Sequence, residues 1–202
     1  MAKLIRTGPV LLLLSVVLSG SSVQVPSSPL PYSVSDLGAD RRVPLGLPLV
    51  EPKIVVAKSK RQLYLYSGGA LVKTYRIGLG LDPVNDKIKA RDMRTPEGDF
   101  YVCLKNARSR FYLSLELSYP NIPSAERGLR DGLISKTQHD QIVSAIQRKA
   151  APPQNTPLGG EIFIHGGSSQ SDWTWGCIAL DNEDIRELFD AIPLGTPVRV
   201  RH

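Results

Sequence analysis

From Lys53 to Gly80 the chain alternates short apolar runs with turn formers: KIVVA, RQLYLY, the turn SGG at Ser67 to Gly69, and ALVKTYRIGLG. Such runs are too short for stable helices, and their Val, Ile and Tyr content fits a pleated, half-buried surface. Leu63 and Leu65 alternate with Tyr64 and Tyr66, a period of two that puts the leucines on one face. A domain that begins this way is committed to a hairpin or meander.

The same signal recurs downstream. After the long polar stretch DPVNDKIKARDMRTPEG come GDFYVCL and FYLSLEL, then EIFIH, WGCIAL and GTPVRVR. Strict alternation in GDFYVCL predicts Phe100, Val102 and Leu104 on one face and Tyr101 and Cys103 on the other. In RTPEG, Pro96 fixes φ and Gly98 is free to turn, a structural role. Helical signals are few. Ser135 and Gln138 fit a capping box that opens a helix striped by Ile142, Val143 and Ile146, and DNEDIRELFDAI reads as a helix capped by Asp181 or Asn182. Many strands, few helices and no βα alternation predict a mainly β (β-rich α+β) fold, a sheet or barrel with helices packed outside.

Residues 1–24 read as a secretory signal, with Lys3 and Arg6 before the apolar run VLLLLSVVL and the small residues SGSS after it. The run is well short of the roughly 20 apolar residues of a spanning helix, so no stable membrane span is expected after cleavage. LSGS has the shape of a lipoprotein cleavage box, yet Ser21 stands where the lipidated cysteine would be. Residues 25–51, rich in Pro, Ser and Gly without periodicity, read as a linker, and residues 52–202 as one domain large enough for its own core. Lys and Arg number 25 against 19 Asp and Glu, a net charge of +6, but they are dispersed and carry no aromatic–basic motif, so a nucleic-acid partner is not expected. Export places Cys103 and Cys177 where disulfides form, and pairing between them is one reading of both.

IHGGSSQSDWTWGC, from Ile164 to Cys177, supports another. Cys177 follows Gly176 at the start of an apolar strand, where a thiol can be exposed on an anchored backbone. Gly176 allows a ligand to approach, and the amides of Gly176 and Cys177 are placed to meet an oxyanion. His165 ends EIFIH, and two strand ends joined by a loop can bring it to Cys177 as the base a thiol nucleophile needs. The residues alone leave this acyl-transfer pair beside the ordinary alternative of a half-buried thiol and a hydrogen-bonded histidine.

Taken in order, IHG and TWGCIALDNEDI, with LYLY, YRIGLG, RTPEGDFYV, LSYPN and TPLGG upstream, resemble the catalytic domain of the L,D-transpeptidases (the YkuD-like family) over roughly Pro52 to Arg201. The resemblance implies a mixed β-sheet sandwich or barrel with a few peripheral helices. It implies that Cys177 attacks a peptidoglycan stem peptide at the bond after its L-centre, with His165 as base, giving a thioester that passes to an amine or to water. By the same resemblance the carbonyl of Gly166 orients the imidazole, Gly176 and Cys177 supply oxyanion amides, and Thr174 fills the family's Ser/Thr position beside the substrate. Trp175 and Tyr119 are expected to line the substrate groove and acyl-donor pocket. The chain departs from many relatives in having Trp175 where a second histidine stands and Ala179 where an arginine stands; Arg94, with Arg91 and Arg76, is the candidate replacement for that cation. TWGCIAL with LSYPN is similar to a subgroup in which some members detach a lipoprotein from peptidoglycan, so an envelope lipoprotein is a candidate partner. The implied location is the periplasm or cell envelope. No cofactor is implied, and His139, His165, Cys103 and Cys177 lack the spacing of a metal site. His139 reads as a boundary histidine on its helix. The rivals are a hydrolase of the same fold, a non-catalytic peptidoglycan-binding module, and a redox role for Cys103 and Cys177.

Overall fold

The computed structural model describes residues 44–202; the expected signal and residues 25–43 of the expected linker lie outside the described residues. The meander forms as its alternation demands. Strands β1 (Lys53–Ala57), β2 (Gln62–Ser67) and β3 (Ala70–Arg76) pair antiparallel, with Leu63 and Leu65 fully buried. Strands β4 (Gly98–Ser109), β5 (Tyr112–Leu117), β6 (Phe163–His165), β7 (Ile178–Ala179) and β8 (Pro197–Arg201) complete an eight-stranded sheet of order β3-β2-β1-β8-β4-β5-β6-β7. The last strand inserts between β1 and β4, parallel to the first and antiparallel to the second. The sheet also curls until its ends meet. Gly78, just beyond β3, exchanges both backbone hydrogen bonds with Ala179 of β7, at 2.9 and 2.8 Å. The expected mainly β fold, a curled mixed sheet with helices at its edge, is the fold observed.

One expectation of alternation fails. Phe100 and Val102 are buried, but Leu104 is 42% exposed. Val102 faces Leu117 while Leu104 faces the adjoining Glu116, so Cys103 is an extra residue in β4. A bulge of this kind turns the residues beyond it to the other face, which strict alternation cannot foresee.

Among the described residues three helices pack outside the sheet: α1 (Ile122–Arg130), α2 (Lys136–Gln147) and α3 (Asn182–Ala191). The capping box of α2 is present as read, and Ile142 and Ala145 are its buried residues, with Val143 and Ile146 only half-buried. Helix α1 escaped the sequence reading, although Asn121 caps it and a proline stands in its first turn. Ala125 of α1, Ile134, Ile142 of α2 and Leu158 form a small apolar cluster separate from the sheet's core.

The polar stretch between β3 and β4 is anchored rather than loosely solvated. Lys58, fully buried, donates from Nζ to the carbonyls of Asn85 at 2.8 Å and Thr95 at 3.0 Å and pairs with Glu97 at 2.9 Å. Lys87, almost as deeply buried, pairs with Asp92 at 2.8 Å. Ahead of β1, Leu45 and Leu49 lie against the core, and the Leu45 amide donates to Glu187 of α3 at 2.9 Å. Among the described residues, no helix is long and apolar enough to cross a membrane.

Candidate active site

Strands β6 and β7 run side by side in parallel, Ile164 facing Ile178 and His165 facing Ala179. Ile164 and Ile178 are fully buried in the core, so alternation brings His165 and Cys177 to the opposite face. Both residues line one cavity of about 720 Å³, together with Phe111, Trp173, Thr174 and Trp175.

His165 is held from three sides. Its Nδ1 lies 2.6 Å from the carbonyl oxygen of Gly166. A carbonyl only accepts, so Nδ1 carries the proton and Nε2 keeps its lone pair. The ring of Phe111 stacks on the imidazole at 4.6 Å and 23°, and Trp173 meets it edge-on at 5.6 Å. Trp173 is fixed in turn by its indole N–H, which donates to the carbonyl of Ser168 at 3.0 Å. Gly166 has no room for a side chain, since a Cβ there would sit 2.6 Å from Asn182 Oδ1 and 2.8 Å from the Phe111 carbonyl oxygen. Burial lowers the His165 pKa below the ordinary 6.5, against the Gly166 hydrogen bond, so the ring is neutral at pH 7.

Cys177 ends a tightly tied turn. Gly176 before it has φ +126°, and a Cβ there would fall 2.6 Å from the carbonyl oxygen of Arg94. The Thr174 hydroxyl accepts from the Gly176 amide at 3.1 Å and donates to the Cys177 carbonyl at 2.8 Å. The turn is anchored to the strand beyond β3: the amides of Trp173 and Thr174 donate to the Leu79 carbonyl, and Asp172 accepts from the Leu79 amide and from Arg61. The thiol donates toward the Glu161 carbonyl at 3.5 Å. Burial raises the thiol to about 11, opposed by a backbone hydrogen bond from Phe163 and by the charge of Lys87. A thiol well above neutrality beside a neutral imidazole makes a resting pair of uncharged groups, so the proton must move as attack occurs.

Several expected site residues are placed differently. Gly176 spends its amide inside the turn on Thr174, and Thr174 spends its hydroxyl there too, so neither is aimed at a ligand. Tyr119 is fully buried, its hydroxyl donating to the Leu158 carbonyl at 3.1 Å and its ring edge-on to Phe100, and it does not line the cavity. Arg94 is engaged by Asp82 at 2.8 Å and contributes its backbone, not its guanidinium, to the turn. Arg76 reaches Gln170 instead. Trp175 is 69% exposed at the cavity's edge, while Trp173 packs on the histidine, so the two tryptophans divide between groove and packing. His139 sits beside Asp140 on α2, away from the cavity. Cys103 and Cys177 are both free thiols, and Cys103 donates toward the Glu116 carbonyl at 3.5 Å.

Sequence reasoning missed Phe111, Glu161 and Asp172. Asp172 was within reach, standing in the DWT segment next to the nucleophile's turn. Phe111 sits at the tip of the β4–β5 hairpin, far from His165 in sequence, and nothing local marks it. Among the described residues no three His, Cys, Asp or Glu side chains gather as a metal site.

The L,D-transpeptidase catalytic domain (YkuD) model matches residues 51–200. No curated protein matches in sequence. Among solved structures the fold is similar to a variant of the helical cell shape determining protein Pgp2 from Campylobacter jejuni, at 22% identity and a TM-score of 0.51 over 83% of this chain and 52% of that one. An L,D-transpeptidase from Mycobacterium smegmatis has 11% identity and a TM-score of 0.45 over 75% of this chain and 59% of that one. Bd1075 of Bdellovibrio bacteriovorus has 22% identity and a TM-score of 0.45 over 76% and 48%. The chain thus spans about half the length of these proteins. With residues 51–200 matched, the chain belongs to the L,D-transpeptidase catalytic domain family.

Proposed function

We propose that the protein is an exported, cysteine-dependent acyl-transfer enzyme of the cell envelope that acts on peptidoglycan stem peptides. The observation that carries this reading is the placement of His165 and Cys177 on one face of neighbouring strands, in one cavity, with the histidine's tautomer fixed by Gly166. In the proposed reaction the thiol proton moves to Nε2 of His165 as Sγ bonds to the peptide carbonyl carbon. The same proton then passes to the departing amine as the C–N bond breaks, leaving a thioester on Cys177. An acceptor amine, deprotonated by Nε2, attacks the thioester and regenerates the thiol. We assign the oxyanion donor to the amide of Cys177, since that of Gly176 is used by Thr174.

A second reading has water as the acceptor, so that the enzyme hydrolyses stem peptides or detaches a protein from peptidoglycan. It is favoured by Ala179, a buried residue paired with both His165 and Gly78, which brings no cation for a free carboxylate. Incubating the described domain with defined muropeptides and weighing the products separates the readings: cross-linked or exchanged products mean an amine acceptor, and released peptides mean water. Product formation that persists in Cys177→Ala contradicts both.

A further inference from the structure

The carbonyl that orients His165 belongs to the peptide between Gly166 and Gly167, and neither residue has a Cβ to restrict rotation of that peptide. Both glycines are required by the space around them. A Cβ on Gly166 would meet Asn182 Oδ1 and the Phe111 carbonyl oxygen, and Gly167 has φ +130° with Trp173 3.0 Å from where its Cβ would stand. The close fit thus puts a readily rotated peptide at the point where a fixed carbonyl matters most.

A side chain of α3 holds the other end of that peptide. The Gly167 amide donates to Oδ1 of Asn182 at 2.9 Å. The peptide is trans and planar, its N–H and C=O pointing in opposite directions, so an acceptor fixed on the N–H also fixes the direction of the carbonyl. One continuous chain results: Nδ1–H of His165 donates to the Gly166 carbonyl at 2.6 Å, and across the peptide the Gly167 N–H donates to Asn182. Hydrogen bonds in such a chain polarise one another, which strengthens the carbonyl as an acceptor. Asp181, at the N-cap of α3, makes no side-chain bond to its own helix; its carboxylate accepts from the Ser169 amide at 2.8 Å. The residues that the sequence assigns to capping are therefore turned onto the loop that follows the histidine.

We infer that Asn182 is a positioning residue for His165, acting through the Gly166–Gly167 peptide where a catalytic triad would use a third side chain. The inference rests on the acyl-transfer reading, in which Nε2 must hold a lone pair to take the thiol proton. With the peptide held, Nδ1 keeps its proton and Nε2 accepts. With the peptide free to rotate, the ring loses its Nδ1 partner, and the proton sits on Nε2 in part of the molecules. That form donates where a base must accept, and it cannot deprotonate Cys177. The bond to Asn182 lies at the surface, so its loss corresponds to roughly a three- to tenfold fall in kcat.

The tautomer of His165 is read by long-range proton–nitrogen NMR correlation on protein carrying isotope-labelled histidine, its signals being those missing from His165→Ala. The native ring is expected to give the Nδ1–H pattern. Asn182→Ala is expected to add the Nε2–H pattern and to lower kcat on a muropeptide by about three- to tenfold with KM little changed, while the melting temperature stays within a few degrees. Asn182→Asp, which keeps an acceptor of the same reach, is expected to restore both the Nδ1–H form and the rate. An Nδ1–H ring with full kcat in Asn182→Ala would overturn the inference, as would a rate lost equally in both variants with the tautomer unmoved. A tautomer that follows the substitutions in a protein showing no muropeptide turnover would sink the acyl-transfer reading and leave the hold of Asn182 on the ring standing. Turnover with the tautomer unmoved by Asn182→Ala would do the reverse.

Discussion

The hydroxyl of Thr174 bridges the turn it belongs to, donating to the carbonyl of Cys177 at 2.8 Å while accepting from the amide of Gly176 at 3.1 Å. One 4%-exposed side chain thus sets the backbone on both sides of the nucleophile's attachment point. Thr174→Val keeps the shape and loses both bonds. Each is a buried bond whose loss leaves a polar group unpaired, about 1–3 kcal/mol apiece. The expected outcome is a kcat lowered by about tenfold or more with KM little changed, and recovery in Thr174→Ser, which restores the hydroxyl. Steady-state kinetics on a muropeptide substrate checks it.

Phe111 stacks on His165, yet it stands on a different hairpin and is 37% exposed. Its ring keeps water from one face of the imidazole. Phe111→Ala should therefore raise the His165 pKa toward the ordinary 6.5, because hydration favours the charged form. A titration of the ring carbon-bound proton resonances by NMR reads the shift directly. An unchanged or lower value would show that Phe111 does not desolvate the base.

The pH dependence of stability follows from the same burial. The folded pKa of His165 is below 6.5, so the unfolded chain takes up its proton first, and stability is lost as pH falls from about 6.5 toward the folded value. Cys177 acts at the other end. Its folded value of about 11 exceeds the ordinary 9.0, so its contribution is complete below 9.0 and lost as pH rises from there to about 11. Calorimetric melting temperatures across this range should show both flanks. Cys177→Ala should reduce the alkaline flank and leave the acid flank unchanged, the remaining alkaline loss including that of Cys103, whose thiol burial pushes up to about 12.

Lys58 is expected to matter without touching the cavity. It holds the stretch between β3 and β4 by two carbonyls and Glu97, and that stretch presents the Arg94 carbonyl against Gly176. Lys58→Met leaves those partners unanswered at a fully buried site, at a cost of about 3–5 kcal/mol. Urea unfolding measures the loss. Double substitution with Glu97→Gln should cost less than the sum of the single changes.

How much of this was legible depends on whether the cause was local. The β1–β3 meander, the capping box of α2 and the His165 and Cys177 strand ends are written in contiguous residues, and each is found where the sequence places it. The bulge at Cys103 is decided by how β5 pairs, not by β4 itself. The insertion of β8 beside β1 joins the two ends of the domain, a contact no window of sequence contains. Arg94 read as a free cation because its partner Asp82 lies across the stretch, and Tyr119 read as a pocket residue because its burial depends on Leu158.

Acylation of Cys177 is read most directly from the intact mass of the protein during reaction with a stem-peptide donor, quenched in acid. The expected result is one added acyl mass on the native chain, mapped by peptide digestion to Cys177, and none on Cys177→Ser within the same time. In His165→Ala the same adduct should form slowly, with the rate climbing toward pH values near 11 as the thiol ionises unaided. An acyl mass carried by any other residue, or turnover that survives loss of the Cys177 sulfur, would contradict the assignment of Cys177 as nucleophile.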